Sequence, residues 1–109
     1  MYYMISAKKL LQLESKLFKG LADKSRLAIL KAILESPKTV SDITRETKLS
    51  QPNTSIHLAC LLECDLVRKE KKGREVFYRI STKEIKKIIA CAQNILNKQG
   101  KEIYNCNNY

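Results

Sequence analysis

A mainly α-helical fold carrying one two-stranded β-hairpin is what this 109-residue chain predicts. Apolar residues recur at helical spacing over roughly five stretches. One segment, from Leu66 to Ile80, alternates with a period of two instead. Gly and Pro, at three and two copies, are too few to divide the chain further. The length fits a single domain, residues 1–109, with a core of its own and something to gain from dimerisation.

The first helix runs from about Ser6 to Phe18, with Leu10, Leu13, Leu17 and Leu21 in register, and Gly20 is expected to break it. Asp23 is an acceptable N-cap for a second helix whose broad apolar face holds Leu27, Leu30, Ile33 and Leu34. Ser36-Pro37 should end it. Thr39 then caps a short helix carrying Val40 and Ile43, with Asp42 as a weak capping-box partner. After a turn at Leu49-Ser50, Ser50 caps a helix from Gln51 to about Cys64. Pro52 is tolerated there because first-turn amides have no intrahelical acceptor. Two short helices joined by a three- or four-residue turn form a helix-turn-helix. The alternating segment, turning at Lys72-Gly73, follows as a hairpin, and in this order it reads as a wing. A final helix, about Thr82 to Gln99, carries Ile85, Ile88, Ile89, Ala92, Ile95 and Leu96. That stripe is long for the last helix of so small a domain. It is expected to form a dimer seam with the first helix, and a flexible tail is expected from about residue 100.

Lys and Arg number 21 against 11 Asp and Glu, a formal charge of +10, which favours a polyanionic partner. No apolar run approaches the ~20 residues that span a bilayer. Met1-Tyr2-Tyr3-Met4-Ile5 is too short for a signal-peptide core, so a cytoplasmic protein is expected. In that compartment the four cysteines read as thiols or metal ligands rather than disulfides. Cys60 and Cys64 are the informative pair. Four residues apart on a helix, they point the same way, and thiolates select soft cations such as cadmium, lead, zinc or copper(I). The competing reading treats Cys as a small hydrophobe on the buried side of the helix.

The run from Phe18 to Ile80 resembles the ArsR/SmtB family of metal-responsive repressors. The residues carrying the resemblance are Leu21-Ala22-Asp23-Lys24-Ser25-Arg26-Leu27-Ala28-Ile29-Leu30, Leu49-Ser50-Gln51-Pro52-Asn53-Thr54-Ser55-Ile56-His57-Leu58 and Gly73-Arg74-Glu75-Val76-Phe77-Tyr78-Arg79-Ile80. It implies a homodimeric winged helix-turn-helix that binds operator DNA and is not an enzyme. Where some members carry thiols in the first helix of the motif, this chain has Thr39-Val40-Ser41-Asp42, and no His lies between Thr82 and Gln99 for a terminal-helix site. The remaining subclass is that of CmtR-type cadmium and lead sensors, which His57-Leu58-Ala59-Cys60-Leu61-Leu62-Glu63-Cys64 resembles. That subclass implies a third thiolate from the C-terminal tail, here Cys106. Cys91 competes for the role, though beside Ile88 and Ile95 it is expected to pack in the core.

DNA contacts are expected from Gln51, Asn53, Ser55, Ile56 and His57 on the reading helix, whose start enters the major groove, and from Arg68, Lys69, Lys71, Lys72 and Arg74 on the basic wing. Two departures stand out. Asp65 occupies a position usually held by a helix-ending Gly, so the join to the wing is expected to be strained. Ile56 replaces a polar residue often found beside the His. Two function classes follow: a repressor released from DNA by a soft divalent ion (cadmium, lead or zinc), or a metal-independent or thiol-redox DNA-binding regulator.

Overall fold

The computed structural model describes residues 5–108; the reading of the first four residues, and Tyr109, lie outside them. The chain forms α1 (Ala7–Ala22), α2 (Lys24–Ala32), α3 (Val40–Thr47), α4 (Gln51–Glu63), β1 (Val67–Lys72), β2 (Glu75–Ile80) and α5 (Lys83–Tyr104). This is a winged helix-turn-helix, as expected: five helices and one antiparallel hairpin, with α3 and α4 as the motif.

Four of the five helix starts follow from a short polar side chain that satisfies amides the helix itself leaves without acceptors. Ser6, Asp23, Thr39 and Ser50 accept from the amides of Lys9, Arg26, Asp42 and Asn53. Thr82 precedes α5 without a side-chain cap. Asp23 does double service, since it terminates α1 in an extended conformation and caps α2. The Arg26 amide, more than the Arg26 charge, holds its carboxyl below the usual carboxylate range.

Three expected boundaries are corrected. Gly20 does not break α1; the helix continues to Ala22, and the Gly20 carbonyl accepts from Arg26 Nε at 2.9 Å. That bond ties the end of α1 to the first turn of α2, so the bend falls at Asp23. Helix α2 ends at Ala32, before Ser36-Pro37, and Ile33 leaves it while staying buried. Helix α5 also runs five residues past its expected end, taking the first part of the expected tail into helix.

The core sits where α2, α3, α4 and the base of the hairpin meet. Ile29, Leu30, Ile33, Ile43, Leu58, Leu61 and Val67 are almost wholly buried, and Ile80, Ile85 and Ile89 join them from the hairpin and α5. Thr54 and Ser81 are the buried polar residues among those described. The Thr54 hydroxyl donates to the Ser50 carbonyl at 2.9 Å, whereas the Ser81 hydroxyl has no partner among the described residues. The strands pair from Val67 opposite Ile80 to Lys72 opposite Glu75. Between them Gly73, at φ +63°, takes the first central position of a two-residue turn, where a positive φ favours glycine. Lys38 and Tyr78 exchange both backbone hydrogen bonds, which fastens the segment before α3 to the wing.

The strained join at Asp65 is present. Asp65 adopts φ +57°, and it completes a Schellman cap: the Leu66 amide donates to the Leu61 carbonyl and the Asp65 amide to that of Leu62. Its carboxylate receives Arg68 in two parallel contacts of 3.1 and 3.2 Å. The guanidinium pulls the Asp65 carboxyl below its ordinary range. An exposed pair of this kind contributes little in water, whereas the left-handed backbone is disfavoured for any residue with a Cβ. Asp65→Gly is therefore expected to raise the thermal midpoint by roughly 2–5 °C, measured by circular dichroism. A lower midpoint would show that the Arg68 contact outweighs the strain.

Candidate nucleic-acid interface and thiol pair

Helix α4 buries one face and presents the other. Thr54, Leu58 and Leu61 enter the core, while Gln51, Pro52, Asn53, Ser55, Ile56 and Ala59 are exposed and His57 is half-buried. The exposed residues cluster at the amino end, where a recognition helix meets base edges. Ser50 is occupied as the cap, but Gln51, Asn53 and Ser55 make no side-chain hydrogen bond within the described residues. Their polar groups are available to a partner.

All five basic wing residues are exposed, but they are not equivalent. Alternation along β1 puts Arg68 and Lys72 on one face and Lys69 and Lys71 on the other. Arg68 is held by Asp65; Lys72 lies 3.6 Å from Glu70 and 5.8 Å from the centre of the Phe77 ring. Lys69, Lys71 and Arg74 have no acidic partner among the described residues, and these three are the cations free to meet phosphate. Lys48, exposed with φ +62° in the turn between α3 and α4, adds a fourth basic side chain beside the reading helix. Nothing in the hydrophobic pattern singles it out, because the pattern marks the helices and not the turn.

Cys60 and Cys64 stand on one side of α4 as expected, Cys60 half-buried and Cys64 exposed at the C-cap. Partial desolvation, then the neighbouring Cys60 and Glu63, push the Cys64 thiol above its ordinary range, and Lys16 of α1 opposes them. The two thiols are thus electrostatic neighbours bordering α1. At about 100° per residue, Asn53, His57, Cys60 and Cys64 form a single stripe along α4. Cys106 lies just beyond α5, half-buried, its amide bonded to the Ile103 carbonyl at 3.2 Å. Among the described residues no three His, Cys, Asp or Glu side chains of one chain converge, so the third expected ligand is not brought to the pair within a protomer. Core packing of Cys91 is corrected: it is exposed, because α5 buries only Ile85 and Ile89 and leaves the body of the protomer after them.

Helices α1 and α5 carry the other conspicuous surface. Leu10, Leu11, Leu13 and Phe18 on α1 and Ile95 and Leu96 on α5 are large exposed apolar side chains. Between the helices runs an apolar groove of about 370 Å³, lined by Phe18, Leu21, Leu27, Ile88, Ala92 and Leu96 among others. No helix among the described residues is long and apolar enough to cross a membrane.

This geometry, a capped helix-turn-helix beside a basic hairpin, defines a nucleic-acid-binding domain. Comparison with known proteins gives the family. The family model described as bacterial regulatory protein, arsR family, matches residues 23–69. An arsenical resistance operon repressor of Bacillus subtilis is 34% identical over 83 residues, covering 75% of this chain and 79% of its own length. A probable mercury resistance operon repressor of Streptomyces lividans is 29% identical over 79 residues, covering 72% of this chain, which spans only 63% of that relative. The structure of reduced HlyU from Vibrio cholerae superposes with a TM-score of 0.73 at 32% identity, covering 81% of this chain and 93% of that one. The chain belongs to the ArsR family. Its family and fold are those of DNA-binding transcriptional regulators, not enzymes.

Lys69 and Lys71 provide a direct measurement. Each phosphate contact removed should flatten the salt dependence of DNA binding by about one unit of logarithmic slope without changing base preference. The double change to Ala is expected to lower the slope by about two units, and the Arg68-Lys72 double change, already paired with acids, by less. Equal slopes in wild type and the Lys69-Lys71 variant would remove the wing from the interface.

Proposed function

We propose that this protein is a homodimeric transcriptional repressor that leaves its operator when a soft metal ion binds Cys60, Cys64 and Cys106. The observation that carries the reading is the stripe on α4. The same helix presents Asn53 toward DNA and, two and three turns further along that side, the thiol pair. The relatives named for arsenical and mercury resistance repress operons concerned with soft elements, which supports the same chemistry here.

Two thiols one turn apart fit half of a soft-metal site. Desolvation first, and then the neighbouring Cys60, raise the Cys64 thiol, and a divalent cation relieves the repulsion between the two. A third thiolate suits cadmium or lead, whereas structural zinc normally completes four ligands. Cys106 fits as that third ligand if it comes from the partner protomer's tail, since within one protomer it stands apart. A second copy covering the groove between α1 and α5 supplies such a partner and removes the exposed apolar side chains of both helices from water. With Lys16 of α1 beside Cys64, the thiol pair borders both the reading helix and the seam.

The thiol-redox reading has less support. A raised thiol is a poorer thiolate at neutral pH, and i,i+4 positions on a helix suit a relaxed disulfide badly.

Titrating cadmium into the complex with operator DNA tests the proposal. Coupling of ~1–3 kcal/mol would weaken DNA binding some 5- to 150-fold. Cys60→Ser and Cys106→Ser should blunt release, and Cys91→Ser should leave it unchanged. Full release in Cys106→Ser but not in Cys91→Ser would transfer the third role to Cys91. Because Cys64 must lose a proton that the fold holds more tightly than usual, apparent cadmium affinity should rise with pH through neutrality and keep rising above it. A flat profile would exclude Cys64 as a ligand. Sedimentation should show a dimer at micromolar concentration, and a monomer on DNA would overturn the seam.

A further inference from the structure

The exposed face of α4 carries no positive charge, and its centre is apolar. Between Gln51 and Glu63 there is no Lys or Arg, and Glu63 is the only formally charged residue. At about 100° per residue, Ile56 points within some 20° of directly away from the buried set Thr54, Leu58 and Leu61. Pro52, Ala59 and Glu63 flank it on the same side. Ile56 is 66% exposed, a large apolar side chain at the middle of the surface a DNA groove would meet. Among the described residues, Ile56 and Val76 are the only exposed large apolar side chains outside α1 and α5.

The chemistry of the major groove limits what such a face can read. Guanine is recognised chiefly by Arg or Lys reaching O6 and N7, and this face offers neither. Adenine is read by Asn or Gln through N6 and N7, and Gln51 and Asn53 have unoccupied amides at the first turn of the helix. The C5-methyl of thymine is the one apolar feature of a base edge, and it is met by apolar side chains. Glu63, an acceptor, lies about 10 Å along the helix axis from Ile56 and outside the first turns.

Resting on the DNA-binding reading above, we propose that Ile56 fixes sequence specificity by packing on a thymine methyl at the centre of each operator half-site, with Gln51 and Asn53 reading adjacent adenines. Orientation against phosphate then falls to the wing, and base choice to a face made of amides and one branched hydrocarbon. One buried methyl corresponds to about a fourfold change in affinity. Two half-sites of a dimer would together give about fifteenfold.

The test uses the full chain and duplexes selected from a randomised pool. Selected half-sites should centre on A·T pairs. Replacing thymines one at a time by deoxyuridine deletes only the methyl, and one position per half-site should lose about fourfold. In Ile56→Ala, which disturbs no core contact, that same replacement should cost nothing further. Ile56→Arg should move the selected base at this position toward guanine. Guanine-centred half-sites for the wild type, or a deoxyuridine penalty that persists in Ile56→Ala, would overturn the assignment of Ile56 while leaving DNA binding intact. A pool that yields no enriched sequence would overturn the DNA-binding reading itself.

Discussion

Helix α4 must be inserted and presented at once, and most of the molecule follows from that constraint. Thr54, Leu58 and Leu61 wedge one face among α2, α3 and β1, each almost fully buried. That anchoring leaves the opposite face rigid enough to dock in a groove. Both ends are fixed by local chemistry: the Ser50 hydroxyl at the start, and at the finish the Schellman bonds of Asp65 and Leu66 to Leu62 and Leu61. Since Leu66 runs directly into β1, the cap that ends the reading helix also sets where the wing begins. A displacement of α4 therefore carries Gln51, Asn53 and Ser55 and the wing lysines with it.

Cys64 sits inside that cap. Its amide bonds back to the Cys60 carbonyl, and the next two residues close the motif. A ligand that pulls on the Cys60 and Cys64 side chains thus acts on the residues that terminate the helix. In the proposed mechanism this gives the thiol pair mechanical access to DNA binding without a long route through the core. The adjacent α1, with Lys16 near Cys64 and exposed Leu10, Leu13 and Phe18 elsewhere along it, connects the same corner to the apolar surface.

Much of this architecture was legible in the residues. The caps Asp23, Thr39 and Ser50 were readable because each precedes an apolar periodic run, and capping is chemistry local to three or four residues. The hairpin was readable from alternation and Gly73. Gly20 was misread because a glycine costs a helix only about 1 kcal/mol, which the Arg26 contact to its carbonyl and the packing of Leu21 offset. The end of α5 was placed at about Gln99, though the helix passes through Gly100 to Tyr104. The Cys60-Cys64 pair followed from spacing alone. The exposure of Cys91 did not: an apolar stripe does not say at which turn the helix leaves its own core. Nor does a charge count divide Arg68 and Lys72, which face acids, from Lys69 and Lys71, which do not. That division comes from strand alternation combined with the left-handed turn at Asp65.

The central claim is that metal acts through the reading helix itself. Amide hydrogen exchange, measured on the DNA-free protein with and without cadmium, tests it most directly. Protection of the Cys64, Asp65 and Leu66 amides should change on cadmium binding, and the change should extend along α4 toward Asn53 and into β1. Cadmium that binds stoichiometrically while exchange throughout α4 and its cap stays the same would contradict the account and place the metal's influence elsewhere.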